Sequence, residues 1–313
     1  MSKLRQFIKN ISPLNNRTEM PVLLYIIKVI LIFWFVKIGS EIIGEVFAIG
    51  IHFLCGKNPL NGEMFDFRTM SLISYYGYSL MIGLMILYWK LFQKKTLAQL
   101  GFTKRFGSYF LGMVLAIVLI VASVLSVMIT GTITYNGIRS NIDQTYILLM
   151  LGGFVFQGAM EEVLCRGIAL QLLKEKTSVP VATGISTVLF VIPHIGNMSE
   201  ADPEIIIFAV AGLILISLIF SFLTLRLKSI WAACGLHTVW NFILYNILGL
   251  NLSGNDGITV AVFDMRSVGS NILNGGVYGI EASVVTAGVL ALALAGCFAL
   301  YRQKPSRSFL THG

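Results

Sequence analysis

Long apolar runs separated by short polar turns occupy most of the chain, and no segment shows the strict alternation of a membrane β-strand. A helix needs about 20 apolar residues to cross a bilayer. The runs predict helices over about 21–53, 70–92, 109–130, 146–173, 180–196, 204–225, 230–250 and 280–301. The expected fold is therefore all-α: a polytopic membrane protein of about eight transmembrane helices enclosing a polar cavity, with residues 1–313 forming a single membrane domain.

Local signals refine this layout. Lys3, Arg5, Lys9 and Arg17 alternate with Leu4, Phe7, Ile8 and Ile11 up to Pro13, so residues 1–20 read as a basic interfacial segment, either a short helix on an anionic leaflet or a disordered tail. The first run exceeds the membrane thickness and should tilt or bend. Its Lys37, Glu41 and Glu45 recur every fourth residue on one helical face, a structural pattern. Pro180 sits where a first helical turn tolerates proline, whereas Pro193 should loosen the helix end beside His194 and free carbonyls that neighbours or water must satisfy. Gly/Asn-rich loops are expected over 56–62 and 251–279.

Composition supports the membrane reading. Hydrophobic residues make up 56% of the 313 positions and charged residues 12%, with a mean hydropathy of +0.81, which excludes an ordinary soluble domain. The net charge of +8 follows from topology rather than from a nucleic-acid partner, and no nucleic-acid site is read. Sixteen lysines and arginines fall on one side of the layout, among them Lys90, Lys94, Lys95, Lys104, Lys174, Lys176, Arg226, Lys228, Arg302, Lys304 and Arg307. Only Lys57, Arg68, Arg139 and Arg266 fall on the other, with Glu200, Asp202 and Asp256. That bias predicts a multi-pass protein of the cell membrane with both termini cytoplasmic. The first run lacks a short core ending in a cleavage site and is expected to be kept as an anchor. Cys55, Cys165, Cys234 and Cys297 have no ligand spacing and read as small hydrophobes.

Against this background one run is anomalous. Glu161, Glu162 and Arg166 lie inside 146–173 with no turn residues to lift them from the membrane. Each such charge costs roughly 2.5 to 3.5 kcal/mol at the bilayer centre even on a mild scale, so intramembrane ionisable groups commonly mark function. The plainer alternative is a structural ion pair between Glu162 and Arg166, four residues apart on one face.

Two of the four histidines join the candidate set from other runs. At about 1.5 Å per residue from the inner helix ends, Glu161 lies roughly 20 Å deep, His194 roughly 21 Å, Asn241 roughly 17 Å and His237 roughly 11 Å. The four are therefore expected to share one cavity. His237 and Asn241 stand at i and i+4, two donors on one face suited to a developing oxyanion. Burial and Arg166 together tune a glutamate into a base usable near neutral pH, with His194 sharing the proton.

These residues carry a resemblance. Glu161-Glu162-x-x-x-Arg166, Phe190-x-x-x-His194 and His237-x-x-x-Asn241, in order on three apolar runs, closely resemble the three motifs of the CAAX prenyl endopeptidase and bacteriocin-processing (CPBP, Abi) family of intramembrane proteases. The resemblance covers the catalytic motif core, about 146–246, and the approach over 96–104 also looks like the family's. It implies a helical core around a hydrophilic cavity in which Glu161 activates water with help from His194. It also implies that His237 and Asn241 hold the oxyanion, that Glu162 and Arg166 support the site, and that Phe190 packs beside it. The implied substrate is a membrane-associated peptide or protein within the lipid bilayer; no cofactor is expected, with zinc as the alternative.

Three alternatives remain at this level. One Glu and two His, Glu161, His194 and His237, also form a plausible zinc set for a metalloprotease, although no HExxH pair exists. A non-proteolytic membrane regulator or bacteriocin-immunity scaffold would need no catalytic set. A proton-coupled transporter would use the buried Glu pair, against which stands the lack of an internal repeat.

Overall fold

The computed structural model describes residues 3–140, 142–255 and 260–302. An amphipathic helix α1 (Lys3–Ile11) precedes α2 (Val22–Leu54) and α3 (Phe67–Tyr88), which continues as a π-helical turn at Trp89–Gln93. A single turn α4 (Leu97–Leu100) leads into α5 (Gly107–Ile129), strand β1 (Ile133–Ile138) and α6 (Gln144–Glu162). Beyond a second π-helical segment, Val163–Ala169, lie α7 (Leu170–Leu173), α8 (Val179–Val191), α9 (Pro203–Leu227) and α10 (Trp231–Phe242). Strand β2 (Phe263–Ser267) and α11 (Val284–Arg302) complete the order.

Among the described residues six helical stretches are long and apolar enough to cross a membrane: Val22–Leu54, Phe67–Gln93, Gly107–Ile129, Gln144–Leu173, Val179–Met198 and Pro203–Leu227. The other two expected spans are not among these, although a π-helical turn at Ile243–Leu248 carries α10 on to Leu248. α10 is buried along almost its whole length, so its neighbours shield it from lipid. The last expected span starts late, at Val284, because Gly279 and a 3-10 turn at Ile280–Ala282 precede it, and α11 runs on to Arg302. Asp256, Lys304 and Arg307 lie outside the described residues, as do the side chains of Lys3, Arg5 and Arg302.

Glycines set how closely the central helices pack. A Cβ on Gly112 would stand 2.0 Å from Ala232 O, and one on Gly235 would stand 2.1 Å from Tyr109 O, so α5 and α10 touch backbone to backbone. Gly158 similarly brings α6 within van der Waals reach of His237 and Thr238. At one end Thr96 and Gln99 form a reciprocal capping box for α4, and Ile230 N donates to Gly101 O. The start of α10 is thereby tucked beneath α4, with Ser229 and Ile230 buried.

At the opposite end β1 and β2 pair antiparallel, with Ile133 facing Ser267 and Ile138 facing Phe263 across a bulge. The hydrophobic pattern gives no sign of this two-stranded ribbon. In α2, Lys37 pairs with Glu41 as the four-residue spacing predicts. Lys28 is buried and donates to Asn15 Oδ1 and Arg17 O at 2.8 Å each, tying the segment after α1 to the bundle.

Candidate active site

The Glu pair ends α6, and the helix widens immediately after it. The π-helical segment Val163–Ala169 is wholly buried, and side chains from outside its own backbone ladder take up two of its carbonyls: Ser186 Oγ donates to Cys165 O at 2.8 Å and Gln171 Nε2 to Arg166 O at 3.0 Å. Such π-turns collect at functional sites.

Glu162 points away from solvent. Its Oε1 accepts from Arg166 Nη1 at 3.1 Å and lies 3.2 Å from His237 Nδ1. Arg166 Nη2 donates onward to Ser217 O at 3.0 Å and Ser217 Oγ at 2.7 Å, and Ser217 Oγ donates to Thr187 Oγ1 at 2.9 Å. The guanidinium lies against the rings of Phe190 at 4.6 Å and Phe220 at 5.0 Å. This shell joins α6, α8, α9 and α10, so the structural ion pair foreseen for Glu162 and Arg166 is present. Arg166 is not within ion-pair distance of Glu161.

Glu161 faces a different environment. Adjacent helical residues project about a quarter-turn apart, and Glu161 borders a cavity of about 200 Å³ together with His194, His237, Asn241, Gln157 and Tyr78. Its Oε1 accepts from Gln157 Nε2 at 2.5 Å. Its Oε2 has no hydrogen-bond partner among the described residues and stands 3.8 Å from both His194 Nε2 and His237 Nε2.

The histidine rings are oriented from behind. His194 Nδ1 is 2.8 Å from Phe190 O, within the 3-10 segment Ile192–Met198 that begins just before Pro193. His237 stacks on Phe220 at 5.0 Å and 18° while its Nδ1 meets Glu162. With each Nδ1 committed, each Nε2 addresses Glu161. Asn241 Nδ2 donates to Gln157 Oε1 at 2.8 Å, leaving its second N–H toward the cavity.

The motif residues thus come together, with one difference from the helical-rise estimate. His237 is level with Glu161 rather than several ångströms shallower, because α10 begins inside the bundle beneath α4. Gln157, which links Asn241 to Glu161, carries no motif signal. Its one cue is its position four residues before Glu161. Ser217 and Phe220 likewise go unmarked in α9, and so does the far wall, where Glu281 accepts from Trp240 Nε1 at 3.0 Å and from Ser253 N at 2.6 Å.

Glu161, His194 and His237 surround one point, yet among the described residues no group of three or more His, Cys, Asp or Glu is arranged to hold a metal ion.

A family model described as type II CAAX prenyl endopeptidase, Rce1-like, matches residues 143–243, about a third of the chain, and supports membership of the CAAX protease family. No curated protein matches the chain.

Proposed function

We propose that this chain, a multi-pass membrane protein with an Rce1-like CAAX endopeptidase core, hydrolyses a peptide bond of a membrane-associated protein or peptide through a glutamate-activated water. The observation that carries this reading is the unpartnered Glu161 Oε2 directed between two imidazole Nε2 atoms at the edge of a polar cavity. A carboxylate so held is a general base in search of a proton.

In this reading water enters between Glu161 Oε2 and His194 Nε2. Glu161 takes one proton as the water oxygen bonds to the scissile carbonyl carbon, and the carbonyl oxygen becomes an oxyanion. His237 Nε2 and the free N–H of Asn241 donate to that oxygen. This duty requires His237 as imidazolium, because its Nδ1 already faces Glu162. Collapse of the intermediate breaks the C–N bond, and the proton held at Glu161 passes to the departing amine. Glu162, Arg166 and Phe190 keep His237 and the end of α6 in register. The whole chain serves as one membrane domain around the 146–246 core, in a cell membrane with cytoplasmic termini.

Cleavage of a membrane-peptide library by purified protein in nanodiscs tests this, comparing wild type with Glu161→Ala and His237→Ala at matched folding. Product from wild type that disappears in both variants is expected. Equal product from all three would remove this site as the source, and no product from any would favour the non-proteolytic regulator.

A further inference from the structure

A second region of the molecule has the shape and charge of a binding site and shares no lining residue with the Glu161 cavity. Where α8, α9 and α11 meet, an apolar cavity of about 820 Å³ opens between Pro180 and Gly184 of α8, Leu218, Phe222 and Leu225 of α9, and Phe298 of α11. Phe222 and Phe298 meet there edge to face at 5.4 Å. Gly184 contributes to the opening, since a Cβ built on it meets nothing within 4 Å.

Leu225 and Lys228 also border a second cavity, of about 380 Å³ and different chemistry. Lys95, Lys174, Gln99, Gln171 and Glu175 line it. Lys95 pairs with Glu175 at 2.8 Å, and Lys174 Nζ donates to Gln171 at 3.2 Å. The Lys228 ammonium has no ion-pair or hydrogen-bond partner among the described residues. Three cations therefore face one carboxylate. Burial holds the Lys174 ammonium below the usual lysine range, a penalty that an anion beside it would offset.

An apolar groove that leads into a cationic polar pocket is matched by one kind of molecule, an amphiphile with a negative head. Both cavities lie at the end of the bundle that carries the basic loops after α3, α7 and α9, where an anionic leaflet surface is attracted. We propose that together they bind an anionic phospholipid, one acyl chain in the groove of α8, α9 and α11 and its phosphate among Lys95, Lys174 and Lys228. A zwitterionic lipid fits the groove equally well but leaves the excess positive charge unmet.

Native mass spectrometry of the delipidated full-length protein in detergent, titrated with phosphatidylglycerol or with phosphatidylcholine of the same chains, tests the proposal. One phosphatidylglycerol is expected per chain, bound about tenfold tighter than phosphatidylcholine, equivalent to about 1.4 kcal/mol. Lys174→Gln with Lys228→Gln should bring the two lipids level, and Gly184→Phe should weaken both by filling the groove. Lys228→Gln alone, expected to narrow the preference, replaces the double variant if that fails to fold. Equal binding of the two lipids by wild type, or a preference that survives loss of the lysines, overturns the proposal. Full displacement of the lipid by inorganic phosphate would also overturn it, by showing an anion site without a chain site.

Discussion

Glu161 and Glu162 are neighbours in sequence and have opposite environments. The Glu161 side chain is 20% exposed beside the cavity with one oxygen unpartnered, whereas Glu162 is fully enclosed and shared between Arg166 and His237. A quarter-turn of helix separates the two environments, and the proposed reaction uses the first while the second is architectural.

The two glutamates should therefore fail differently. Glu161→Gln keeps an acceptor for Gln157 and loses the base, so cleavage should fall by 10² or more with the melting temperature nearly unchanged. Glu162→Gln leaves Arg166 buried without its counter-charge, and breaking a buried pair costs about 3 to 5 kcal/mol. Thermal unfolding in detergent read beside peptide cleavage separates them. A Glu162 variant as stable as wild type would sink the architectural assignment.

Gln157 is expected to act through Glu161. Its carboxamide runs in one direction, accepting from Asn241 at 2.8 Å and donating to Glu161 at 2.5 Å, so it couples the proposed oxyanion donor to the proposed base. Gln157→Ala should lower kcat about 10-fold to 100-fold with little change in KM, the size seen when groups that orient a reactive ligand are removed. Gln157→Glu should be worse, because it sets two carboxylates side by side. A loss confined to KM would instead put Gln157 in substrate binding.

How much of this was legible in the sequence depends on the range of the interaction. Helices are visible because each run carries its own apolar stretch, and the Glu161, His194, His237 and Asn241 set is visible because charge and amide groups stand out in such runs. The β1–β2 ribbon is not, since Ile133 and Ser267 meet only after five intervening helices, α6 to α10, fold. Nor could the shared depth of His237 and Glu161 be read from helical rise, which assumes that helices start level. The bond from Ser229 Oγ to Gly101 O, at 3.4 Å, shows that α10 does not. Ser217 and Phe220 look like ordinary positions of an apolar helix until α9 packs against Arg166.

Metal dependence has a direct test. The donor atoms around Glu161 Oε2 form no metal-binding cluster among the described residues, so cleavage by purified protein is expected to persist after prolonged treatment with EDTA or 1,10-phenanthroline. Loss of activity that zinc alone restores would show that Glu161, His194 and His237 rearrange into a ligand set, and would replace the water-activation scheme.

The close approach of α5 and α10 yields the sharpest steric prediction. A Cβ on residue 235 would lie 2.1 Å from Tyr109 O and 2.9 Å from Tyr109 C, and both are backbone atoms that no rotamer change can move. Gly235→Ala must push α10 away from α5, at a cost of about 1 to 3 kcal/mol or more for such overpacking. Because α10 carries His237 and Asn241, the shift also disturbs the 3.2 Å contact to Glu162 and the 2.8 Å bond to Gln157. Misplacement by about 1 Å can cost 10²-fold in rate, so activity should fall further than stability alone explains. Gly83→Ala, where an added Cβ meets nothing within 4 Å, is the matched control and should melt at or slightly above the wild-type temperature. If Gly235→Ala kept both the wild-type melting temperature and the wild-type rate, α10 would not be held against α5 by backbone contact, and the positioning of His237 would need another cause.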